Sequence, residues 1–205
     1  HHAIARRPPR PGTGGSWAHR LGLVLVGDRA DSTTSNLARS RLMAEYDAVI
    51  EIPRGSRNKY EIDHETGRVF LDRVLFTSFV YPTDYGFFEN TLGEDGDPVD
   101  VLVLLDFPTF PGVGIKVRPV GVLHMTDDGG GDDKVIAVQY KDPRWAHIQD
   151  LNDIPQATRD EIEHFFVHYK DTEPGKWARI DGWGDAAAAE KIILAGFEKL
   201  KAEGH

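Results

Sequence analysis

At 205 residues, with 40% hydrophobic and 10% aromatic content, the chain is long enough to bury one ordinary core. Its 24 basic and 33 acidic side chains leave a formal charge of -9, which repels phosphate-coated partners at long range and argues against nucleic acid or an anionic membrane as a bulk partner. With no cysteine, disulfides, thiolate metal sites and thiol nucleophiles are all excluded.

The opening His1–His2 reads as a tag remnant. Residues 1–42 are rich in Pro, Gly, Arg and Ser with little period, so they read as an N-terminal extension that is expected to be disordered. The apolar run "LGLVLVG" (21–27) is far shorter than the roughly 20 residues of a membrane-spanning helix. No clear cleavage site follows it, and the expected location is the cytoplasm.

A single domain is expected over 43–205, opening with "MAEYDAVIEIP". The runs "AVIEI", "NKYEID", "RVFLD", "PVDVLVLL", "IKVRPVGVLHM" and "KVIAVQY" are rich in Val, Ile, Phe and Tyr and predict strands. "DHETGR" and "DDGGGDD" between them are hairpin signals. Near the end the pattern changes to helical spacing. One helix is predicted from about Asp153, with Pro155 early in it and Ile162, Phe165, Phe166 and Tyr169 on one face. A second is predicted from about Asp185, its candidate N-cap, with Ile193, Phe197 and Leu200 as the apolar face. Strands first and helices last make an α+β chain built on a β-barrel.

Chemistry concentrates in the carboxylates. "EDGDPVD" places Asp95, Asp97 and Asp100 at the mouth of an apolar strand. Two like charges about 4 Å apart repel by roughly 4 kcal/mol at a protein surface, so the cluster either splays into solvent or holds a cation. Hard oxygen donors without nearby His or Cys suit Mg²⁺ or Mn²⁺ over Zn²⁺. "TDDGGGDDKV" adds Asp127, Asp128, Asp132 and Asp133, and taken alone reads as a solvated hairpin tip. Glu51 and Glu61 lie on early strands, where an exposed strand face is the plain alternative. Interspersed with them are Lys59, Arg73, Lys134, Lys170, Tyr81, Tyr85 and Tyr169. Carboxylate-held metal facing Lys and Arg is the arrangement that a phosphate-containing substrate calls for. "EPGKW" is not a Walker motif, and no GxSxG elbow supports acyl transfer through serine.

The segments "IEIPRGSRNKYEID", "YPTDYGF", "DGDPVDVLVL", "RPVGVLHMTDD", "DDKVIAV" and "HFFVHYKDTEPGKW" together resemble the successive motifs of the family I soluble inorganic pyrophosphatases, over essentially all of the chain from Met43. The resemblance is to the compact prokaryotic form, and implies a five-stranded OB-like β-barrel with flanking helices, assembled as a homohexamer. It implies Mg²⁺-dependent hydrolysis of pyrophosphate to two orthophosphates by direct attack of a metal-activated water, with several Mg²⁺ per site and Mn²⁺ as a substitute. By that similarity Glu51, Glu61, Asp95, Asp100, Asp127 and Asp132 are metal ligands. Lys59, Arg73, Tyr85, Lys134, Tyr169 and Lys170 bind substrate. Asp97 is the first choice for the catalytic proton acceptor because it is not needed as a ligand, and Asp132 is its rival. His64 stands where relatives often carry Lys and reads as a hairpin residue. His164 and His168 lack the Glu of HExxH and read as packing or interface residues.

Three other readings compete. An OB-fold nucleic-acid binder is opposed by the acidic balance, and a metal-binding assembly protein by the interspersed cations. A nucleotide pyrophosphohydrolase lacks an evident base-recognition segment.

Overall fold

The computed structural model describes residues 44–204, so the expectation for residues 1–42 lies outside the described residues. Nine strands and two α-helices follow in the order β1 (Tyr46–Ile52), β2 (Asn58–Ile62), β3 (Val69–Val74), β4 (Asp84–Phe88), β5 (Asp100–Leu104), β6 (Gly114–Asp127), β7 (Gly130–Gly131), β8 (Lys134–Gln139), α1 (Gln156–His168), β9 (Ala178–Asp185) and α2 (Ala186–Ala202). This is an α+β chain with a mixed sheet. Seven strands run in the order β1-β4-β5-β8-β6-β7, with β9 added on β6, and β1 pairs with β6 as well as with β4. Strands β2 and β3 form a separate hairpin.

Side chains alternate across a strand, and the two faces of this sheet each bury a core. Val101 and Val103 of β5 and Val135 and Ala137 of β8 face one way, against Ala189 and Ile193 of α2. Leu102, Leu104, Ile136 and Val138 face the other way, against Ile162, Phe165 and Phe166 of α1. Burial on both faces explains why "DVLVL" and "KVIAV" read as continuous apolar runs, and β5 and β8 are indeed parallel. Asp100 and Lys134 open these two strands opposite one another in register. They share the α1 side with Leu102 and Ile136, so the strand period aims both towards one spot.

Three strands were not predicted: the two-residue β7 inside the second hairpin, β4 and β9. β4 ("DYGFF") contains Gly86, which sequence propensity disfavours. There a Cβ would come 1.8 Å from the Val49 carbonyl oxygen, so only glycine permits β1 to approach this closely. β9 ("ARIDGWGD") carries two glycines and two acids, and owes its extended form to pairing along the 14-residue β6.

The helical expectations need one correction. Leu151–Asp153 forms a separate 3-10 turn closed by a reciprocal capping box between Asp150 and Asp153. Ile154, restricted by the following proline, is extended, so α1 starts only at Gln156, with Pro155 as its N-cap and Tyr169 as its C-cap. Asp185 caps α2 as predicted, its carboxylate accepting from the Ala188 N–H at 2.8 Å. Both predicted hairpins form. In the first, the Asp63 carboxylate accepts from Glu65 N and Thr66 N, at 2.9 and 3.0 Å.

Candidate active site

A cleft of about 460 Å³ opens where β5 and β8 begin, between them and the β2–β3 hairpin. Glu51, Lys59, Glu61, Arg73, Tyr85, Asp95, Asp97, Asp100, Asp127, Asp132, Lys134, Tyr169 and Lys170 all line it. Every residue singled out in the sequence for metal, substrate or proton transfer therefore reaches one place.

Different elements deliver them. The pairing of β1 with β4 slips between Ile50 and Ile52, so Glu51 is the extra residue of a bulge, a device that re-aims a side chain. Its carboxylate accepts from Ile62 N at 2.8 Å, which ties β1 to the hairpin. The "DGD" loop is held by the Asp95 carboxylate, accepting from Asp97 N at 3.1 Å, with Gly96 at φ +95° in the left-handed region that glycine adopts freely. Asp95 and Asp97 are exposed on this loop, whereas Asp100 is rooted in the sheet. Asp127 and Asp132 flank the tight turn after β6, and the Asp132 N–H donates to the Met125 carbonyl at 2.9 Å.

At the centre is Lys134, only 2% exposed, whose ammonium donates to both Asp100 and Asp132. Burial alone would lower its pKa, but the two carboxylates outweigh burial and hold it above the ordinary lysine value. The same ammonium lies 5.6 Å from the Tyr85 ring centre and 5.8 Å from that of Phe166. Asp132 is pushed well above the usual carboxylate range by burial and by Asp100, with Lys134 opposing. Glu51 is raised to about 7, first by burial and then by Asp100, against the Ile62 hydrogen bond. Asp95, although on an exposed loop, is raised by partial burial of its carboxyl group. Burial also forces the phenols of Tyr85 and Tyr169 far above their usual value, so both are neutral hydrogen-bonding groups.

Around this centre, Lys170 bonds Asp127 at 2.6 Å and, on the more exposed hairpin, Lys59 bonds Glu61. Burial would raise Asp127, but the Lys170 contact wins and lowers it. Arg73 faces Lys59 across the hairpin and pairs with Glu173 at 3.1 Å and Asp72 at 2.5 Å.

Sequence reasoning missed Glu173, which is buried and fixes Arg73 from a different element, and Lys176, which lines the cleft and bonds Asp128 at 2.5 Å. Glu173 sits in a turn in which its N–H donates to the Lys170 carbonyl, and it meets Arg73 from a separate segment, so no local spacing signals the pair. His64 also lines the cleft, its ring edge-on to Phe87 at 5.0 Å, so it is more than a hairpin residue. His164 and His168 pack against each other at 4.8 Å and are not among the residues that line it.

The donor set fits divalent metal. Six carboxylates supply hard oxygens, and two of them, Glu51 and Asp132, are raised by burial and by repulsion from Asp100 that a cation would relieve. Among the described residues no three acidic or imidazole groups already close on one point. Lysines pair with four of these carboxylates: Lys134 with Asp100 and Asp132, Lys170 with Asp127 and Lys59 with Glu61.

Comparison with known proteins gives the family. A sequence model of the family described as inorganic pyrophosphatase matches residues 48–201. The inorganic pyrophosphatase of Leifsonia xyli subsp. xyli is 76% identical over 163 residues, which is 80% of this chain and 100% of that protein. That of Streptomyces coelicolor is 56% identical over 160 residues, 78% of this chain and 98% of that one. The crystal structure of inorganic pyrophosphatase from Thermus thermophilus superposes with a TM-score of 0.76 at 48% identity, covering 79% of this chain and 94% of that chain. By the extent of the family match and the identity to these relatives, the chain belongs to the inorganic pyrophosphatase family.

Proposed function

We propose that the chain hydrolyses inorganic pyrophosphate to two orthophosphates in this cleft, by direct attack of water activated by Mg²⁺, with Mn²⁺ as a substitute. The observation that carries the reading is the meeting of six carboxylates with Lys59, Arg73, Lys134 and Lys170 in one cleft of a chain of this family. A substrate bearing charge on both phosphates needs both kinds of partner.

Bound metal supplies Lewis acidity, lowering the pKa of water and neutralising phosphate charge. The protein's own contribution is placement. Asp95, Asp100 and Asp132 would supply the inner ligands, and Asp127, Glu51 and Glu61 those around them. The lysines paired with these carboxylates would be free to bond phosphate oxygen where a bound cation took their place on the carboxylates. Arg73, kept in place by Glu173, presents planar donors to the outer phosphate, and the neutral phenols of Tyr85 and Tyr169 orient and donate. The carboxylate of Asp97 accepts the proton of the attacking water. It is exposed in the cleft wall, whereas the Asp132 carboxylate is engaged by Lys134.

The pairings β1–β4, β4–β5, β5–β8, β8–β6 and β6–β1 form a closed circuit of five strands, which supports the OB-like barrel reading. Assembly as a homohexamer in the cytoplasm rests on the family, and is supported by the exposed Phe76, Phe107 and Phe110. Among the described residues no helix is long and apolar enough to cross a membrane.

The test is phosphate release from pyrophosphate with Mg²⁺, with EDTA as control, for the wild type, Asp97→Asn and Asp132→Asn. Rapid metal-dependent release is expected, with Asp97→Asn losing turnover while still binding metal. No release with either Mg²⁺ or Mn²⁺ overturns the reading.

A further inference from the structure

Between Asp132 and Lys134, which face the cleft, stands Asp133, which faces the opposite side of the extended segment. Its carboxylate is not idle. Oδ2 lies 3.0 Å from His124 Nδ1, and Oδ1 accepts from Met125 N at 3.3 Å. A carboxylate only accepts, so Nδ1 carries the hydrogen. Met125 also receives, at its carbonyl, the N–H of Asp132 at 2.9 Å. The backbone of Met125 is thus bonded on both sides to the segment that carries the two central cleft residues.

The surroundings are shaped for an imidazole. The β6–β9 pairing slips between His124 and Met125, and the register partner of His124 is Gly182, at φ +134°. At Gly184 a Cβ would come 2.8 Å from His124 Nε2. Strand β9 therefore withholds side chains where the ring lies, and the ring has Asp133 at its other nitrogen.

We infer that His124 and Asp133 form a clamp that positions Asp132 for metal and Lys134 for phosphate. The inference rests on the metal-dependent reading of the cleft. Neither residue touches substrate; both act through the segment between Gly131 and Lys134. Partners that orient a metal ligand in this way characteristically contribute 10- to 100-fold to metal affinity or activity. The side chains here are 37% and 32% exposed, which places the expected effect at the lower end, about tenfold.

The test is calorimetric titration of Mg²⁺ into the metal-stripped full chain, with melting temperature and steady-state phosphate release measured beside it. His124→Ala and Asp133→Ala are each expected to weaken Mg²⁺ binding about tenfold. The double variant is expected to be no weaker than either single one, because the two act as one unit. His124→Asn, whose amide can replace the Nδ1 donor, should restore binding. Loss of the Asp133 charge alone would leave His124→Ala unaffected, so that variant separates positioning from bulk electrostatics. Wild-type affinity in His124→Ala, whatever its melting temperature, overturns the clamp, as does full additivity in the double variant. A wild type that binds Mg²⁺ but releases no phosphate overturns the pyrophosphatase reading while the binding comparison still decides the clamp; a wild type that binds no Mg²⁺ overturns both.

Discussion

The cleft has two walls of unlike construction. One is the paired start of β5 and β8, where Lys134, Asp100 and Asp132 have side chains only 3%, 18% and 12% exposed. The other is the β2–β3 hairpin, where Lys59, Glu61 and Asp72 are 21%, 56% and 31% exposed and even Phe70 and Leu71 reach solvent. The same residue types therefore do different work. In the buried wall a charge without its partner is costly, so stability and chemistry are bound together. In the hairpin wall water screens the charges, so residues can grip substrate with little effect on folding.

The most direct way to break this contrast is Lys134→Ala. Removing one member of a buried charge group typically costs about 3–5 kcal/mol, because the remaining carboxylates are left uncompensated. Chemical denaturation at neutral pH without metal should show a loss of that size, together with loss of phosphate release. Added Mg²⁺ should recover part of the stability and none of the turnover. A stability within about 1 kcal/mol of wild type would mean that the buried wall is screened like the hairpin.

Next in size is Gly86→Ala. The added Cβ overlaps the Val49 carbonyl, a backbone atom that cannot swing away, and overpacking typically costs about 1–3 kcal/mol. Because β1 carries the Glu51 bulge beside this contact, weaker metal binding should accompany the lower stability. The hairpin counterpart, Lys59→Ala, should reverse the pattern. We expect kcat/KM to fall by about 10- to 100-fold, the range for loss of a charged phosphate contact, with stability changed by less than about 1 kcal/mol.

How much of this was legible beforehand divides along the same line. The buried wall could be read because its chemistry is contiguous in sequence: "DGDPVDVLVLL" and "DDKVIAV" join ligand and strand, and parity along the strand aims Asp100 and Lys134 together. Asp185 as a helix cap was equally local. What was not legible depends on distant pairing. β4 and β9 are extended because β1 and β6 lie beside them, in spite of their glycines. The Glu51 bulge, the hold of Glu173 on Arg73 and the His124–Asp133 contact each join residues from separate segments, and no local pattern announces them.

The smallest effect is expected at Asp72, and acid provides the cleanest view of it. Burial would raise its pKa, but Lys59 at 3.4 Å and Arg73 at 2.5 Å prevail and hold it below the usual 3.8. A folded pKa below the unfolded one means that the ionised form is favoured by folding, so the contribution is full above about pH 4 and is lost as pH falls through the folded value. Asp72→Asn should therefore destabilise the chain by less than about 1 kcal/mol at pH 7, the range of exposed ion pairs, and the difference from wild type should vanish in strong acid. Salt should shrink it too, since water reaches this wall. Denaturation curves of the two proteins at pH 7 and in strong acid below the folded value, each at low and high salt, decide the matter. A difference that persisted in that acid, or was indifferent to salt at pH 7, would place Asp72 with the buried wall and remove the distinction between the two sides of the cleft.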